Sequence, residues 1–353
     1  MQITKIQINN LRNLESVDLE PHPGLNLLYG PNGAGKTSVL ESIVVLSRGR
    51  SFRTKHAAEL IGKGGETFNV FADISGKDKR TYKLGLQRSK KHWRARKDGR
   101  DLSQLSQLTR VLPLVLMEPN SHLLVSGAPE IRRKFLDWGV FHVEQDFLRV
   151  WRDFSKILKQ RNAALRFRQS ELLDSMDIVF SEIGIQLGRL RRSHSNEIAK
   201  KLQSLLEELS SGLEKVRVEY KEGWNRDTLA AALEESREND LVRGLTGAGP
   251  HRADIALIYQ EAAARAVLSR GEQKILAAAL LLSQAEILAK HNKVPILLLD
   301  DLASEFDEDH YESVLQRAMS IGGQVWVSGT RKTVPELDHK MFHVKHGQVQ
   351  EML

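Results

Sequence analysis

The sequence predicts an α/β protein in which a sheet-containing part is interrupted by a compact, mainly helical lobe. Short strand-like segments fill residues 1–117, helical periodicity dominates residues 118–213, and strand-like segments return afterwards. Two apolar runs, Val111–Met117 and Val294–Leu299, show the continuous pattern of parallel strands that are buried on both faces. Together these observations favour a mixed α/β architecture over an all-helical one.

The composition is that of a folded, basic protein without cysteine. The chain has 353 residues, of which 41% are hydrophobic, and a formal net charge of +7. This charge favours a polyanionic partner such as DNA, although many basic proteins bind none. The absence of cysteine excludes disulfides and cysteine metal sites and indicates a reducing, cytoplasmic location. We expect neither a signal peptide nor a membrane span.

The first lobe begins with short strands separated by polar turns. The predicted strands are Ile3–Ile8, Ser16–Leu19, Leu25–Tyr29, Phe68–Ile74, Arg80–Leu86, His92–Arg96 and Val111–Met117. A helix is predicted from Lys36 to Leu46, directly after a glycine-rich turn.

Helices are predicted through residues 129–213, because apolar residues recur there at steps of three and four. Two stripes are expected to face the core: Leu172, Met176, Val179 and Ile183, and then Ile198, Leu202, Leu205 and Leu209. Paired antiparallel helices would bury such stripes and give a compact lobe.

After this lobe the sheet-forming pattern returns. Strands are predicted at Val216–Tyr220, Asp254–Ile258, Val294–Leu299, Gln324–Val327 and Met341–Val344, and helices at Glu272–Lys290 and Asp307–Met319. We expect residues 1–117 and 214–353 to form one discontinuous lobe and residues 118–213 to form the helical lobe.

The glycine-rich turn matches the pattern G-x-x-x-x-G-K-[ST] in full and lies between a predicted strand and a predicted helix. Its glycines let backbone N–H groups point at phosphate oxygens, and the helix presents its positive end to the same anions. We expect Lys36 to contact the β- and γ-phosphates of ATP and the Thr37 hydroxyl to bind Mg²⁺. The residues expected to contact ATP are Gly30, Pro31, Asn32, Gly33, Ala34, Gly35, Lys36, Thr37 and Ser38.

Two carboxylates follow the buried strand Val294–Leu299, at the sheet edge where ligands of open α/β sheets bind. We expect Asp300 to hold Mg²⁺ through water and Asp301 to orient or activate the attacking water, so that both act with Lys36 in catalysis. Two aspartates after a strand also occur in ordinary turns. The glycine-rich turn, which has the sequence of a phosphate-binding P-loop, makes a metal site the favoured interpretation of this pair.

The segment Leu268–Lys274 lies just before the long predicted helix that leads to the Asp300 strand. Ser269 and Gly271 could meet a γ-phosphate with a hydroxyl and closely approaching N–H groups at the helix N-terminus. The same residues could simply cap the helix, with Ser269 as N-cap and Glu272 three residues later. Capping alone does not explain why the segment stands before an Asp-Asp strand in a P-loop protein.

These motifs, in this order, resemble the ATPase heads of the ABC/SMC/Rad50 class, and within that class the RecF family. The P-loop, the Asp-Asp strand and the signature-like segment carry the resemblance to the class. The further segments that match are Ile3–Asn13, Gly49–Arg53, Ala128–Trp138, Gly249–Asp254 and the D-loop-like Leu302–Asp307. The chain departs from many members at Glu118-Pro119-Asn120, the Q-loop position, where they have Thr-Pro and an acid.

The resemblance implies an ATP-dependent homodimer in which the P-loop of one subunit faces Ser269 and Gly271 of the other. It implies a weak, DNA-stimulated ATPase that binds single-strand/duplex boundaries. It also implies that the protein works with RecO and RecR to help load the RecA recombinase onto gapped DNA, and that it has no membrane partner.

Two other functions remain open. An ABC transporter ATPase subunit is disfavoured because Ser328-Gly329-Thr330 lacks the histidine that transporters usually carry there. An SMC- or Rad50-like structural tether is disfavoured because the helical insertion, residues 118–213, is too short for a coiled-coil arm.

Basic residues that could contact the DNA backbone occur in two places. Residues 88–100 contain seven Lys or Arg, one acid and Trp93. The candidates in the helical lobe are Arg132, Arg133, Arg189, Arg191 and Arg192. A solvated hairpin and ordinary surface helices are the alternative interpretations. Any contacts should be independent of base sequence, because nothing resembles a recognition helix.

Overall fold

The computed structural model describes residues 1–76, 80–210, 212–330 and 337–352. Its strands are β1 (Gln2–Leu11), β2 (Leu14–Leu19), β3 (Leu25–Tyr29), β4 (Thr67–Ser75), β5 (Thr81–Ser89), β6 (Trp93–Lys97), β7 (Arg100–Asp101), β8 (Leu114–Met117), β9 (Arg217–Lys221), β10 (Asp254–Tyr259), β11 (Ala262–Ala263), β12 (Ile296–Leu299), β13 (Val325–Gly329), β14 (His339–Lys345) and β15 (Gln348–Met352). Its α-helices are α1 (Lys36–Arg48), α2 (Leu105–Val111), α3 (Leu123–Ser126), α4 (Pro129–Val143), α5 (Phe147–Arg166), α6 (Leu173–Leu209), α7 (Leu229–Arg243), α8 (Ala264–Val267), α9 (Arg270–Lys290), α10 (Leu302–Glu305) and α11 (Glu308–Ser320).

The chain forms two compact units. The first comprises Met1–Ser121 and Leu288–Leu353, and the second comprises His122–Ile287. The first boundary lies near the predicted one, but the second falls close to the end of α9 and not at residues 213/214. The difference arises because β9–β11 pair into a sheet of their own, and because β9 packs on α6 and β10 on α4. Within the described residues, no helix is long and apolar enough to cross a membrane.

The first unit contains a six-stranded, mainly parallel sheet in the order β15-β14-β3-β13-β12-β8. Five of its strands are parallel, and β15 pairs antiparallel with β14. β12 and β8 are buried along their whole length, as their continuous apolar runs predict. β8 begins at Leu114 and not at the predicted Val111, because Pro113 separates it from α2.

A second sheet in this unit is antiparallel, in the order β2-β1-β4-β5-β6-β7. Burial alternates along β4, where Phe68, Val70, Ala72 and Ile74 face inwards. One core cluster joins these side chains to α1 and to residues of the parallel sheet such as Trp326 and Phe342. The shared core fixes α1, and with it the loop before α1, against the parallel sheet.

The second unit contains the long helices α4, α5 and α6, which confirm the predicted helical middle. The stripe Ile198, Leu202, Leu205 and Leu209 is buried, as predicted. The stripe Leu172, Met176, Val179 and Ile183 is not, because α6 instead turns Leu173, Asp177, Phe180, Gly184 and Leu187 inwards.

The prediction for the first half of α6 chose the wrong face because polar residues contribute to the face that packs. Asp177 is ion-paired with the fully buried Arg161 at 2.6 Å, so the face that packs is not the most hydrophobic one.

The helix α7 and the strand β15 have no counterpart in the predictions. α7 buries only Leu229, Ala232, Leu233 and Asp240, which is too small an apolar face to give a clear periodic signal.

Candidate nucleotide-binding site

The carboxyl ends of four parallel strands bring residues from distant parts of the chain to one edge of the sheet. β3 leads into Gly30, β12 into Asp300 and β8 into Glu118, while Ser328 lies near the end of β13. Parallel strands present their carboxyl ends at the same edge, and this places the P-loop and Asp300 together, as the sequence predicts.

The P-loop conformation depends on its glycines. Gly30 has a φ of 155°, and a Cβ atom there would lie 2.1 Å from the carbonyl oxygen of Val344. Gly35 has a φ of 120° and forms the N-cap of α1 without any side-chain acceptor. The first N–H groups of α1 are therefore left for an anionic ligand.

Lys36 is buried within this loop. Its Nζ donates hydrogen bonds to the carbonyl oxygens of Gly30, at 2.7 Å, and Pro31, at 3.0 Å. Burial lowers the pKa of Lys36, and the nearby carboxylates of Asp301 and Asp300 oppose this effect. A cation with so little water around it is stabilised by an anionic ligand, and the phosphates of a nucleotide supply one.

Thr37, Asp300 and Ser328 form a hydrogen-bonded group beside the loop. Asp300 Oδ1 accepts from Thr37 Oγ1 at 3.0 Å and from Ser328 Oγ at 2.6 Å. Burial raises the pKa of Asp300, and the hydrogen bonds from Ser328 and Thr37 partly offset that rise. The arrangement places a hydroxyl and a carboxylate next to the position where phosphates would bind.

This donor set fits Mg²⁺ bound with a nucleotide. Mg²⁺ usually takes few protein ligands and completes its octahedron with phosphate oxygens and water. In the described residues, no group of three or more His, Asp or Glu side chains could hold a metal without such help. Thr37 would be a direct ligand, and Asp300 would act through water.

Asp301 lies at the N-cap of α10 with left-handed backbone angles, φ 54° and ψ 35°. Its N–H donates to Ser328 Oγ at 3.0 Å. Such backbone angles in a non-glycine residue cost about 1–3 kcal/mol and concentrate at functional sites. Ser328 therefore links the carboxylate of Asp300 to the backbone of Asp301, a role that the sequence motifs did not reveal.

Glu118 is the second residue whose role could not be read from the motifs. Its strand β8 pairs with β12, and the N–H of Asp300 donates to the carbonyl of Met117 at 2.8 Å. Burial, together with the charge of Asp300, raises the pKa of Glu118 to about 7, although Arg48 and Arg53 pull it down. At the Q-loop position this chain thus has a carboxyl group that changes charge near neutral pH.

A network behind the loop holds the segment Gly49–Arg53 that resembles the RecF family. The fully buried Glu41 on α1 accepts two hydrogen bonds from Arg12, each 2.9 Å long, and one from Ser51. Arg53 also approaches Glu41, at 3.7 Å. The hydroxyl of Ser38 donates to Asn13 Oδ1 at 3.0 Å, so this predicted nucleotide contact also holds the turn between β1 and β2 to α1.

The signature-like segment lies in the second unit, and its residues Ser269, Arg270 and Gly271 are exposed. Ser269 and Glu272 cap each other reciprocally, with Ser269 N donating to Glu272 at 2.7 Å and Glu272 N donating to Ser269 at 3.3 Å. The capping interpretation is therefore confirmed. A Cβ atom at Gly271 would meet nothing within 4 Å, so packing inside the chain does not require glycine there.

The basic candidates of the helical lobe divide into buried and exposed residues. Arg132 and Arg191 are buried and pair with Asp254 and Asp137, through contacts as short as 2.8 and 2.7 Å, so neither offers its charge to DNA. The three candidates that are less deeply buried are Arg133, Arg189 and Arg192. Arg133 donates to the carbonyl of Ala253 at 2.7 Å, and Arg192 pairs with Glu222.

The basic hairpin formed by β5 and β6 has exposed lysines at its turn, Lys90 and Lys91. Arg94 and Arg96 both pair with Asp101, and hydrogen bonds from them lower the pKa of Asp101 to about 2. Trp93 packs against the core of the first unit. Among the charged residues of this hairpin, Lys90 and Lys91 therefore make the fewest interactions with other side chains.

A P-loop beside a carboxylate-bearing buried strand, in a mixed sheet with an antiparallel partner sheet, defines an ATPase head of the ABC/SMC type. The family described as the RecF/RecN/SMC N terminal domain matches residues 2–352. The DNA replication and repair protein RecF of Stenotrophomonas maltophilia is 41% identical over 360 residues, which cover 99% of each chain. The RecF of Xanthomonas axonopodis is 40% identical over 362 residues, covering 99% of this chain and 98% of its own.

Solved structures agree with these relatives. The structure of the recombination mediator protein RecF-ATP in the RecFOR pathway superposes with a TM-score of 0.90 at 26% identity, covering 100% of this chain and 98% of its own. An Smc head domain from Pyrococcus furiosus has a TM-score of 0.61 at 14% identity, covering 99% and 96%, and supports the fold alone. The chain belongs to the RecF family of DNA replication and repair proteins.

Proposed function

We propose that this protein is a weak, DNA-stimulated ATPase that closes on DNA as an ATP-dependent homodimer. It acts in the cytoplasm at single-strand/duplex boundaries, where it cooperates with RecO and RecR to help load RecA onto gapped DNA. The observation that carries the proposal is the group of Thr37, Asp300 and Ser328 beside the P-loop, because it holds the residues for Mg²⁺-ATP chemistry together. The match to a RecF-ATP structure of the RecFOR pathway supports both the nucleotide and the partners.

Binding of ATP would use the loop from Gly30 to Ser38. Backbone N–H groups and the N-terminus of α1 would hold the phosphates, and Lys36 would turn from the loop carbonyls to the β- and γ-phosphates. Mg²⁺ supplies charge neutralisation at the phosphates when it is bound. Thr37 would hold it directly and Asp300 through water.

Hydrolysis would depend on Asp301. Its backbone is fixed by Ser328, and its carboxylate lies close enough to Lys36 to oppose the burial effect on the lysine pKa. From this position Asp301 would orient the attacking water and accept its proton. Loss of the γ-phosphate would then open the dimer, so that ATP times the residence on DNA.

The second half of each ATP site would come from the other subunit. Ser269 and Gly271 are exposed at the N-terminus of α9, which has 21 residues. A hydroxyl, a glycine and a helix N-terminus are suited to a γ-phosphate that is presented by another chain.

DNA contacts would be made to phosphates by exposed Lys and Arg. Lys90 and Lys91 at the hairpin turn and Arg189 on α6 are the exposed candidates that pair least within the chain. Arg94 and Arg96 could join them, but only by exchanging Asp101 for phosphate.

Mixing two inactive variants tests the composite site. Lys36→Ala destroys a P-loop and leaves the signature, whereas Ser269→Arg destroys a signature and leaves the P-loop. A mixed dimer contains one doubly damaged site and one intact site. With ATP and a gapped duplex present, gel filtration should show partial recovery of the dimer in the mixture and no dimer with either variant alone.

The control is nucleotide binding by each variant. Lys36→Ala should bind ATP about a hundredfold more weakly or worse, because it loses charge-assisted phosphate contacts, and Ser269→Arg should bind it normally. If the mixture shows no recovery while Ser269→Arg is folded and binds ATP, the shared site is refuted.

A further inference from the structure

An exposed apolar surface lies where α5 and α7 end. Phe167 directly follows α5 and is 76% exposed, and Val242 in the last turn of α7 is 86% exposed. They are the two most exposed large hydrophobic side chains in the described part of the chain, and Leu245 beside them is 55% exposed. Isolated exposed hydrophobic residues are common, but neighbouring ones on one surface indicate an interaction site.

Contacts between the two helix ends bring these residues together. A Cβ atom at Gly244 would lie 2.7 Å from Cγ of Arg166 and 3.6 Å from its Cα. The N–H and the hydroxyl of Thr246 both donate to Asn162 Oδ1, at 2.8 and 2.7 Å. The loop that carries Leu245 is therefore fixed against the last turn of α5, next to Phe167.

Three exposed arginines flank the apolar side chains: Arg166, Arg168 and Arg243. The Nε of Arg166 donates to the carbonyl of Asn162 at 3.2 Å. None of the three has an ion pair within the described ranges of the chain. The surface thus combines uncovered hydrophobic area with positive charge that is not neutralised.

The core beneath this surface is complete without it. Ala164, Leu165 and Leu173 form a buried cluster, with Leu241 and Met176 packed against it. The fully buried Arg161 is paired with Asp177 and Asp240. Folding therefore does not explain why hydrophobic residues occupy positions 167, 242 and 245.

We propose that Phe167, Val242 and Leu245, together with the three arginines, form a docking surface for a protein partner, here called the tip surface. The partner segment would present an apolar side chain flanked by carboxylates. Such a segment covers the hydrophobic area and pairs with the arginines, and aromatic and Arg residues commonly anchor protein interfaces. A nucleic acid fits less well, because aliphatic side chains such as Val242 and Leu245 give bases no stacking surface.

This inference rests on the proposed function, in which RecO and RecR are the protein partners. The experiment measures binding of purified RecR and of purified RecO from the same organism to the full chain by calorimetry. Phe167→Glu and Val242→Glu should each weaken one of the two complexes at least about tenfold, because they place a negative charge opposite the partner's carboxylates. Replacement of the three arginines by alanine should weaken the same complex and reduce its dependence on salt.

The matched control is Trp151→Glu, an aromatic-to-acid change at another exposed position of α5, about 24 Å from the tip surface along the helix. It should bind both partners normally. Melting temperature and ATP affinity should be unchanged in the tip variants. If Phe167→Glu does not fold, Val242→Glu, at the more exposed position, still tests the surface.

The outcomes separate the two proposals. If the unaltered protein binds RecR or RecO and the tip variants bind equally well, the tip surface is refuted and the proposed function stands. If the unaltered protein binds neither, the partnership fails and the inference with it. Lost affinity for duplex DNA, or lost ATP-dependent dimerisation, with normal RecR and RecO binding would assign the surface to DNA or to a second copy and overturn the proposal.

Discussion

Ser328 is the residue whose replacement most directly tests the geometry of the candidate site. Its side chain is buried and joins the two aspartates, donating to Asp300 at 2.6 Å and accepting from the N–H of Asp301 at 3.0 Å. Ser328→Ala removes both hydrogen bonds without touching the P-loop. We therefore expect it to affect the carboxylates selectively.

The structure gives the size of the effect. The bond to Asp300 involves a buried carboxylate, and its loss leaves the Asp301 N–H without its acceptor, for a total cost of about 2–4 kcal/mol. In a unit of this size the melting temperature should fall by about 5–10 °C. Hydrolysis should slow by about tenfold to a hundredfold, which corresponds to about 1.4–2.7 kcal/mol of lost positioning of Asp301.

The assay compares kcat, ATP affinity and thermal unfolding of Ser328→Ala with those of Ser42→Ala. Ser42 is also fully buried, but its hydroxyl donates only to the carbonyl of Val39, at 2.7 Å, within α1. The control should lose about 0.5–1.5 kcal/mol of stability and keep its kcat. ATP affinity should change little in either variant, because neither hydroxyl is placed to contact phosphate.

One result would refute the reasoning. If Ser328→Ala loses stability but retains the parental kcat, Ser328 serves only the fold and the position of Asp301 does not limit hydrolysis. A large loss of ATP affinity would instead place Ser328 among the residues that bind the nucleotide.

Three further predictions concern the same protein. Asp301→Asn should keep ATP binding and ATP-dependent dimerisation but slow hydrolysis, since an amide cannot accept the proton of water; a parental rate in a phosphate-release assay would exclude this role. Glu118 has a folded pKa of about 7 against 4.5 in an unfolded chain, so its contribution to stability is present below pH 4.5 and is lost as pH rises through 7. In urea unfolding, Glu118→Gln should therefore reduce the fall in the free energy of unfolding between pH 4.5 and 7 and stabilise the protein by about 1–3 kcal/mol at pH 8. An unchanged dependence of stability on pH would contradict the raised pKa of Glu118. DNA affinity should fall steeply as the salt concentration rises, and reversing the charges of Lys90 and Lys91 should reduce the slope of log affinity against log salt concentration by about two units. An unchanged slope would exclude a role of the hairpin in DNA binding.

Local motifs carried most of what the sequence could predict. The P-loop, the Asp300 strand and α1 depend on residues adjacent in the chain, and their spacing alone identifies them. Ser328 and Glu118 join the site only because β13 and β8 both pair with β12. That strand order is a property of the folded sheet, so motif spacing alone does not place these two residues in the site, although the family resemblance marks Glu118 as the Q-loop position.

Hydrophobic periodicity fails where a helix buries charge. The inward face of α6 includes Asp177 and two glycines, Gly184 and Gly188, so this face carries few large apolar side chains. The stripe from Leu172 to Ile183 is more apolar, and periodicity therefore favours it. Counting apolar residues cannot identify a face whose packing depends on an ion pair with a residue of another helix, here Arg161 of α5.

Buried ion pairs also decide how the DNA proposal should be tested. Arg132 binds Asp254 at the start of β10, and Arg191 binds both Asp137 and the carbonyl of Pro250. Reversing either arginine would place a negative charge at a buried position and leave a partly buried carboxylate unpaired, which costs about 3–5 kcal/mol. Such a variant would lose DNA binding through unfolding and would mimic the loss of a phosphate contact. Because Arg189 is exposed on the same helix as Arg191, Arg189→Glu is the variant from this lobe whose salt dependence reports on DNA.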